Sequence, residues 1–327
     1  MTTQPPSADR GLMYGFELNG GGGAKNLGWD DLASQQSGPR WMHMDFTEPE
    51  TREWLTQQSD IDGYVVRAML DDDSRPRSLV AGEGMLVTLR GVNMNAGADP
   101  EDMVSIRLWI DKDRIITTRR RRLLSIVKLR ESLQRGEGPI DAGDFLIKLV
   151  CLLEENIGPA IETLDDEIEA AEQAFAEGDV VRYSGEFSGL RRQAARLRRY
   201  LAPQRDALDR LSRETDTLLN ASQRMAIREE ADKITRNLED LELVRERAVV
   251  AHEELLGRLA NEQNSRMYVL SLVAAIFLPL SFLTGLLGMN VGGLPGLENP
   301  AAFALVSVSM LLMAVGIVAL FRWRRWM

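Results

Sequence analysis

The sequence predicts a cytosolic N-terminal domain of the α+β class, followed by long helices and two C-terminal transmembrane helices. Three observations support this fold class. Short segments with the apolar pattern of β-strands are concentrated between residues 40 and 118. From residue 122 onward the pattern is helical. The last fifth of the chain contains two long segments without any charged residue.

The acidic charge of the chain is concentrated in one segment. The 327 residues include 39 Lys and Arg against 49 Asp and Glu, a formal net charge of -10. Residues 151–190 contain 11 of those acids and one base, Arg182, so that the remainder is neutral. Without surplus positive charge for phosphates, no nucleic-acid partner is expected. One cysteine, Cys151, and two histidines are too few for a disulfide or a Cys/His-rich metal cage.

The N-terminal part divides into a segment expected to be flexible, residues 1–36, and an α/β domain, residues 37–141. The flexible segment is rich in Gly, Ser, Gln and Pro, and its run from Gly20 to Gly23 lacks the Lys-Ser/Thr of a phosphate loop. No catalytic triad, paired catalytic carboxylates or nucleotide motif occurs in the α/β domain, so an enzyme is not expected. A helix is predicted over 49–58, and strands over 41–45, 64–68, 78–81, 85–90, 103–110 and 114–118.

Residues 142–266 are predicted to form a helical hairpin and a long stalk helix. A preceding helix over 123–135 ends at Gly136, a typical C-cap. The hairpin consists of helices over 142–177, with a kink at Gly158-Pro159, and over 180–213. Five arginines of its second helix are expected to face the acidic first helix across a turn at Gly178. They are Arg191, Arg192, Arg196, Arg198 and Arg199. The last helix, over 216–287, has no proline except Pro279 and continues into the membrane.

Residues 267–288 and 301–321 are predicted to be transmembrane helices. They contain 22 and 21 residues without a charge, and a helix rising about 1.5 Å per residue crosses a hydrocarbon core of about 30 Å at that length. Arg266 precedes the first span, a basic tail over 322–327 follows the second, and the external loop over 289–300 has no Lys or Arg. The positive-inside rule therefore places both termini of this multi-pass inner (plasma) membrane protein in the cytosol.

Two periodic lines run along the stalk helix. An apolar seam recurs every seven residues at Ile227, Ile234, Leu241, Ala248 and Leu255, and predicts helix packing. An acidic line at Glu239, Glu246 and Glu253 has the same period but is offset by two residues, about 200° around the helix. Small and polar residues continue this phase into the first span. They indicate either close helix packing or, as we prefer, a pore axis formed by several copies.

The first span ends in Gly288-Met289-Asn290. This tripeptide, in the context of two C-terminal spans, a short loop, a basic tail and a long preceding helix, resembles the signature of the CorA metal-ion transporter family. The following Val-Gly-Gly-Leu-Pro-Gly over 291–296 is similar to the ZntB-like zinc transporter branch and differs from the magnesium members. The resemblance implies a CorA-like pentameric funnel, with the first spans lining the pore, that transports a divalent cation, Zn2+ above others.

The resemblance assigns Gly288, Met289 and Asn290 to an outer selectivity entrance, where a ring of Asn290 amides would hydrogen-bond the water shell of a cation. Helical phase adds candidate pore-lining residues, with Glu239, Glu246 and Glu253 as cytosolic acidic rings. The candidates are Asn264, Met267, Ser271, Leu278, Ser281 and Gly285. None of them is His or Cys, so that we expect Zn2+ to pass largely hydrated, without a bound cofactor or an assigned metal-ligand set.

Two other functions fit the sequence. One is a Mg2+ or Co2+ channel of the same family, which ligand chemistry does not separate from a zinc transporter. The other is a membrane-anchored cytosolic scaffold or sensor, in which the two spans are only an anchor. The direction of transport and its coupling to protons stay open, since neither span contains a carboxylate for an intramembrane proton relay.

Overall fold

The computed structural model describes residues 11–33, 38–72, 75–176, 184–214, 218–289 and 300–324. The chain divides into two compact units, Met1–His252 and Glu253–Met327. The first contains all strands and most helices of the described residues, and the second contains the apolar C-terminal part of one long helix and a second apolar helix.

The described residues of the first unit contain a seven-stranded mixed sheet. Its strand order is β2-β1-β3-β7-β6-β5-β4. Only the central pair β3 and β7 is parallel, with Arg40 opposite Arg114, and the other neighbours are antiparallel. The strands are β1 Leu12–Leu18, β2 Ala24–Asn26, β3 Arg40–Asp45, β4 Arg77–Ala81, β5 Gly84–Gly91, β6 Val104–Ile110 and β7 Arg114–Arg119. Strands followed by segregated helices confirm the α+β class.

Eight α-helices occur in the described ranges. Two short ones, α1 Pro49–Gln57 and α2 Gly63–Met69, lie between the strands. The others follow the sheet in sequence. They are α3 Leu124–Arg135, α4 Ala142–Glu154, α5 Ile157–Ala176, α6 Ser184–Arg213, α7 Ala221–Leu287 and α8 Ala302–Trp323. Gly136 ends α3 in the left-handed conformation, with φ 77°, which confirms the predicted C-cap.

Helices cover both faces of the sheet. On one face, the ring of Trp41 lies edge-on to Phe145 of α4, with 4.9 Å between ring centroids. On the other face, Met44 of β3 packs in one cluster with Leu55 of α1 and Met69 of α2. Because both faces are buried, the central strands lack the alternation of an exposed sheet, and all eight residues of β5 are buried.

The prediction of a flexible segment over residues 1–36 is wrong for the described part, which contains β1, β2 and a 3-10 turn at Trp29–Ala33. The side chains of Leu12, Phe16 and Leu18 are buried, so that β1 belongs to the core. The glycine at position 15 is explained by close packing and not by flexibility. A Cβ at that position would lie 2.5 Å from the carbonyl oxygen of Leu27. Residues 1–10 and 34–37 lie outside the described residues.

The strand predicted over 64–68 is the helix α2. Asp62 caps its N-terminus, since the Asp62 side chain accepts a hydrogen bond of 2.7 Å from the backbone N–H of Tyr64. The buried side chains of Val65, Val66 and Met69 lie at helical spacing. The period of a short apolar run does not by itself distinguish a strand from a buried helix, and here the N-cap at Asp62 identifies the helix.

In place of the one helix predicted over 142–177, the structure has two, α4 and α5. The helical conformation is interrupted at Glu155 and Asn156. The break precedes the predicted kink at Gly158-Pro159. Pro159 consequently lies in the first turn of α5, where its missing N–H removes no hydrogen bond.

The predicted charge pairing between the hairpin helices is wrong for the described residues. Among these, Arg196 pairs with Glu101 and Arg198 with Glu242. The contact between α5 and α6 is apolar, with the rings of Phe175 and Phe187 at 89° and 6.2 Å between centroids. The turn predicted at Gly178 lies outside the described residues.

The carboxylates of α5 pair instead with Arg247 of the stalk helix α7. The Arg247 guanidinium binds Asp165, and its Nη2 lies 2.7 Å from Oε2 of Glu172. The hydrogen bond to Glu172, followed by the nearby Asp165 and Glu169 charges, raises the pKa of Arg247. Opposite charges therefore hold α5 on the stalk helix.

The start of α7 is fixed by a reciprocal cap. The backbone N–H of Gln223 donates to Oδ1 of Asn220 at 2.9 Å, and the backbone N–H of Asn220 donates to Oε1 of Gln223 at 3.0 Å. The helix therefore starts at Ala221, later than the predicted residue 216. The apolar seam is confirmed, because each of its five residues is 1% exposed or less.

We expect the substitution Arg247→Gln to loosen α5 from α7, because it removes the charge between two carboxylates. The effect on the free energy of unfolding should be about 1 kcal/mol, since all three side chains are partly exposed. Thermal unfolding of the detergent-solubilised protein measures it. The control is Arg245→Gln, whose partner Glu242 lies on the same helix. An equal loss of stability in both variants would show that the bridge between the helices contributes no more than a pair within one helix.

Candidate functional site

The acidic line lies on the solvent-exposed side of α7. Glu239 and Glu246, in the first unit, are exposed, as is Glu253 at the start of the second. The buried apolar seam fixes the rotation of α7 about its own axis, and the two-residue offset then turns the carboxylates outward. Within the described residues, none of the three forms an ion pair, although neighbouring Glu242 pairs with both Arg245 and Arg198. The three carboxylates are thus available to attract a cation.

Two large apolar side chains flank the acidic line. Leu243 is 57% exposed and Val250 is 58% exposed on the same helix. They lie seven residues apart and begin the series that continues through Gly257, Asn264 and Ser271. The sequence reasoning missed both residues, although extending the series by two heptads toward the N-terminus would have found them. Exposed apolar residues beside a regular acidic line are typical of a surface that another chain covers.

In the second unit, the C-terminal part of α7 and the whole of α8 have the length and apolar composition of membrane spans, and neither is buried in the single chain. One side of α7 is partly covered in this segment. Its half-buried side chains are Leu272, Ala275, Ile276, Pro279, Leu280 and Leu283. They recur at helical spacing and define the side of α7 that faces protein within this unit.

The six candidate pore-lining residues all lie on the uncovered side of α7. Each of Asn264, Met267, Ser271, Leu278, Ser281 and Gly285 is exposed. Leu278 and Met267 are the two large apolar side chains among them, 68% and 58% exposed. All six candidates are thus exposed in the single chain, and their helical phase predicts that they lie on one side of α7.

The first span ends at Gly288. The helix α7 terminates at Leu287, and the backbone N–H of Gly288 donates to the carbonyl oxygen of Thr284 at 2.9 Å. A Cβ at Gly288 would lie 2.9 Å from that same oxygen, closer than a side chain tolerates. The glycine is thus needed for this helix end. Met289 is 47% exposed, and Asn290 lies outside the described residues.

The other titratable candidates lie away from this face. His43 is buried in the sheet, where its Nδ1 lies 2.8 Å from the Thr117 hydroxyl, and its pKa is lowered by burial and then by the Arg119 charge. Cys151 is half-buried on α4, and its pKa is raised to about 11, first by burial and then by Glu230. In the part of the chain that the structure describes, no three His, Cys, Asp or Glu side chains are arranged to hold a metal ion.

Comparisons with known proteins agree on one family. The family model described as "CorA-like Mg2+ transporter protein" matches residues 36–325. The chain is 38% identical over 320 residues to the "Divalent cation transporter CmaX" of Pseudomonas aeruginosa, covering 96% of this chain and 95% of that protein. It is 34% identical over 317 residues to the "Zinc transport protein ZntB" of Pectobacterium atrosepticum, covering 97% of this chain and 96% of that one.

Solved structures show the same architecture. The full-length CmaX structure has a TM-score of 0.86 at 38% identity and covers 98% of this chain and 100% of its own. The complete CorA magnesium transporter from Methanocaldococcus jannaschii has a TM-score of 0.79 and covers 94% of this chain and 96% of its own. At 18% identity this second likeness shows the fold alone.

Proposed function

This chain belongs to the CorA-like transporter family, and from that premise we propose that it moves divalent cations, Zn2+ above others, across the inner membrane as a ring of identical subunits. One observation carries the proposal. The uncovered side of α7 bears exposed carboxylates in the first unit and exposed small, polar and apolar residues along the membrane segment of the second. Such a line has the chemistry of an ion path.

The uncovered side chains support the proposed ring. Two helices enclose no pore within one chain, so that a path along α7 requires several copies around a common axis. Exposed Leu243 and Val250 would be buried between neighbouring α7 helices in such a ring. We propose five copies, the number that the family resemblance implies, with both termini in the cytosol.

Each part of the line has its own task in the proposed pore. Rings formed by Glu239, Glu246 and Glu253 concentrate cations, because like-charged carboxylates brought together lower the potential along the axis. Hydroxyl and amide groups of Ser271, Ser281 and Asn264 hydrogen-bond the water around the ion. Rings of Leu278 and Met267 narrow the path and gate it by losing water. Gly288, Met289 and Asn290 form the outer entrance.

The choice of Zn2+ rests on the relatives named as zinc transport proteins. The pore-lining residues include no His or Cys, and we propose that the ion keeps most of its water shell. A second candidate, Mg2+ or Co2+, is supported by the "CorA-like Mg2+ transporter protein" description of the matching family model. Similarity over almost the full length to proteins named as transporters favours transport over a membrane-anchored scaffold.

In proteoliposomes we expect Zn2+ influx to exceed Mg2+ and Co2+ influx, and the substitution Asn290→Ala to lower it strongly, because the entrance loses the amides that hold the hydrated ion. Fluorescent indicators inside the vesicles measure the three fluxes, with and without a pH gradient. Asn261→Ala is the control, since Asn261 lies on α7 but on neither line. Mg2+ flux without Zn2+ flux would reject zinc as substrate, and unchanged flux in Asn290→Ala would reject the entrance.

The double substitution Leu243→Ser and Val250→Ser should weaken assembly, because it removes apolar surface that neighbouring copies are proposed to bury. Light scattering combined with size-exclusion chromatography gives the mass of the detergent-solubilised particle. Ile140→Ser is the control, since Ile140 is 48% exposed but lies outside α7. The account would be contradicted if the control lost mass and the double variant remained a full ring.

A further inference from the structure

A polar cluster lies between α4 and the stalk helix α7, on the buried side of that helix. Glu154 of α4 is 7% exposed and Glu230 of α7 is 5% exposed. Each carboxylate has one oxygen with a described partner and one buried oxygen, Oε1 of Glu154 and Oε2 of Glu230, that accepts no hydrogen bond from the described residues. Two buried carboxylates in this condition are costly, because an ionised group that loses water must gain partners.

The partners of the two carboxylates are unequal. Nζ of Lys233 lies 2.7 Å from Oε1 of Glu230. Among the described residues, Glu154 receives a hydrogen bond from a neutral donor alone, since Nδ2 of Asn237 lies 3.3 Å from its Oε2. The cluster therefore holds two acids and, among the described residues, one neighbouring cation, Lys233.

Charged groups on the other elements around α4 are engaged elsewhere. On α3, Lys128 pairs with Glu155, the neighbour of Glu154. On α5, Asp165 and Glu172 bind Arg247. On β5, Arg90 donates to the Met103 carbonyl and stacks on the Tyr200 ring. None of these described groups neutralises the second carboxylate, so that a proton is the remaining means of doing so.

The electrostatics of the cluster place that proton on Glu154. Burial and then the Glu230 charge raise the pKa of Glu154 to about 8, while Lys233 and Asn237 oppose this rise. The hydrogen bond to Glu230 raises the pKa of Lys233.

We propose that Glu154 holds a proton near neutral pH beside Glu230, and that loss of this proton in an alkaline cytosol weakens the packing of α4 on α7. The cluster is then a pH-sensitive contact between α4 and the stalk helix. Above neutral pH, two adjacent buried negative charges repel each other and draw in water, and the two helices separate locally. The proposal concerns the cytosolic helices alone and does not depend on which cation the chain moves.

The sign of the pH dependence follows from linkage. In the folded chain Glu154 has a pKa of about 8 against an ordinary value of 4.5, so that the folded state binds the proton more tightly. The stabilising contribution of this proton is complete below the ordinary value, falls as pH rises between the two values, and is lost above pH 8. The pKa of Asp102 is lowered by its hydrogen bond to Arg121, so that its contribution to stability is lost only as the pH falls into the acid range. It therefore does not obscure the effect of Glu154 on stability above neutral pH.

Infrared spectroscopy of the full chain in detergent, with EDTA present to remove metal ions, tests the proposal. The wild type should show a protonated-carboxyl C=O band that persists above pH 6 and disappears with a midpoint near the Glu154 pKa of about 8. Glu154→Gln should lack this band. Glu155→Gln, next in sequence but exposed and paired with Lys128, should retain it.

Two further measurements separate a proton held on Glu154 from a merely structural role. In Glu230→Gln the band should remain but disappear at lower pH, because the like charge that raises the Glu154 pKa is gone. The thermal unfolding midpoint of the wild type should fall between pH 6 and pH 9, and that of Glu154→Gln should fall less. Absence of the band from the wild type above pH 6, or its persistence unchanged in Glu154→Gln, would overturn the proposal.

Discussion

The burial of the apolar seam of α7 is the constraint on which the rest of the structure depends. Because Ile227, Ile234, Leu241 and Ala248 are in the core, α7 has one rotation about its axis within the first unit. That rotation decides which residues are exposed, and it turns the acidic line outward. It also brings Glu230 and Arg247 toward α4 and α5. One face of the helix is thereby buried in the fold, and the opposite face remains exposed.

How far the sequence predicts this arrangement depends on the range of the interaction. The seam, the acidic line, the C-cap at Gly136 and the two spans are visible because period and local chemistry determine them. The helical nature of residues 63–69, the burial of β1 and the pairing of Arg247 with α5 depend on partners far along the chain, and no local pattern identifies those partners. Likewise, the likeness of Gly288-Met289-Asn290 to a known motif predicts an entrance. The structural reason for the glycine, its close approach to the carbonyl oxygen of Thr284, is visible only in the structure.

The acidic residues of the chain differ in burial and in pairing, and the net charge does not show these differences. Asp165 and Glu172 hold α5 on the stalk helix through Arg247. The buried pair of Glu154 and Glu230 has one described cation, Lys233, beside it. The acidic line remains exposed and without ion pairs among the described residues. Only this last class suits a cation path, because its charges are neither neutralised nor buried.

The central claim is that the uncovered side of α7 lines the ion path. Thiol accessibility tests this claim most directly. Cysteine is introduced at Ser271, on that side, or at Leu272, on the half-buried side, in a Cys151→Ser background. A water-soluble, membrane-impermeant thiol reagent is then applied during Zn2+ flux. The account predicts that the reagent blocks flux through Ser271→Cys and leaves flux through Leu272→Cys unchanged. Block of Leu272→Cys without block of Ser271→Cys would contradict it.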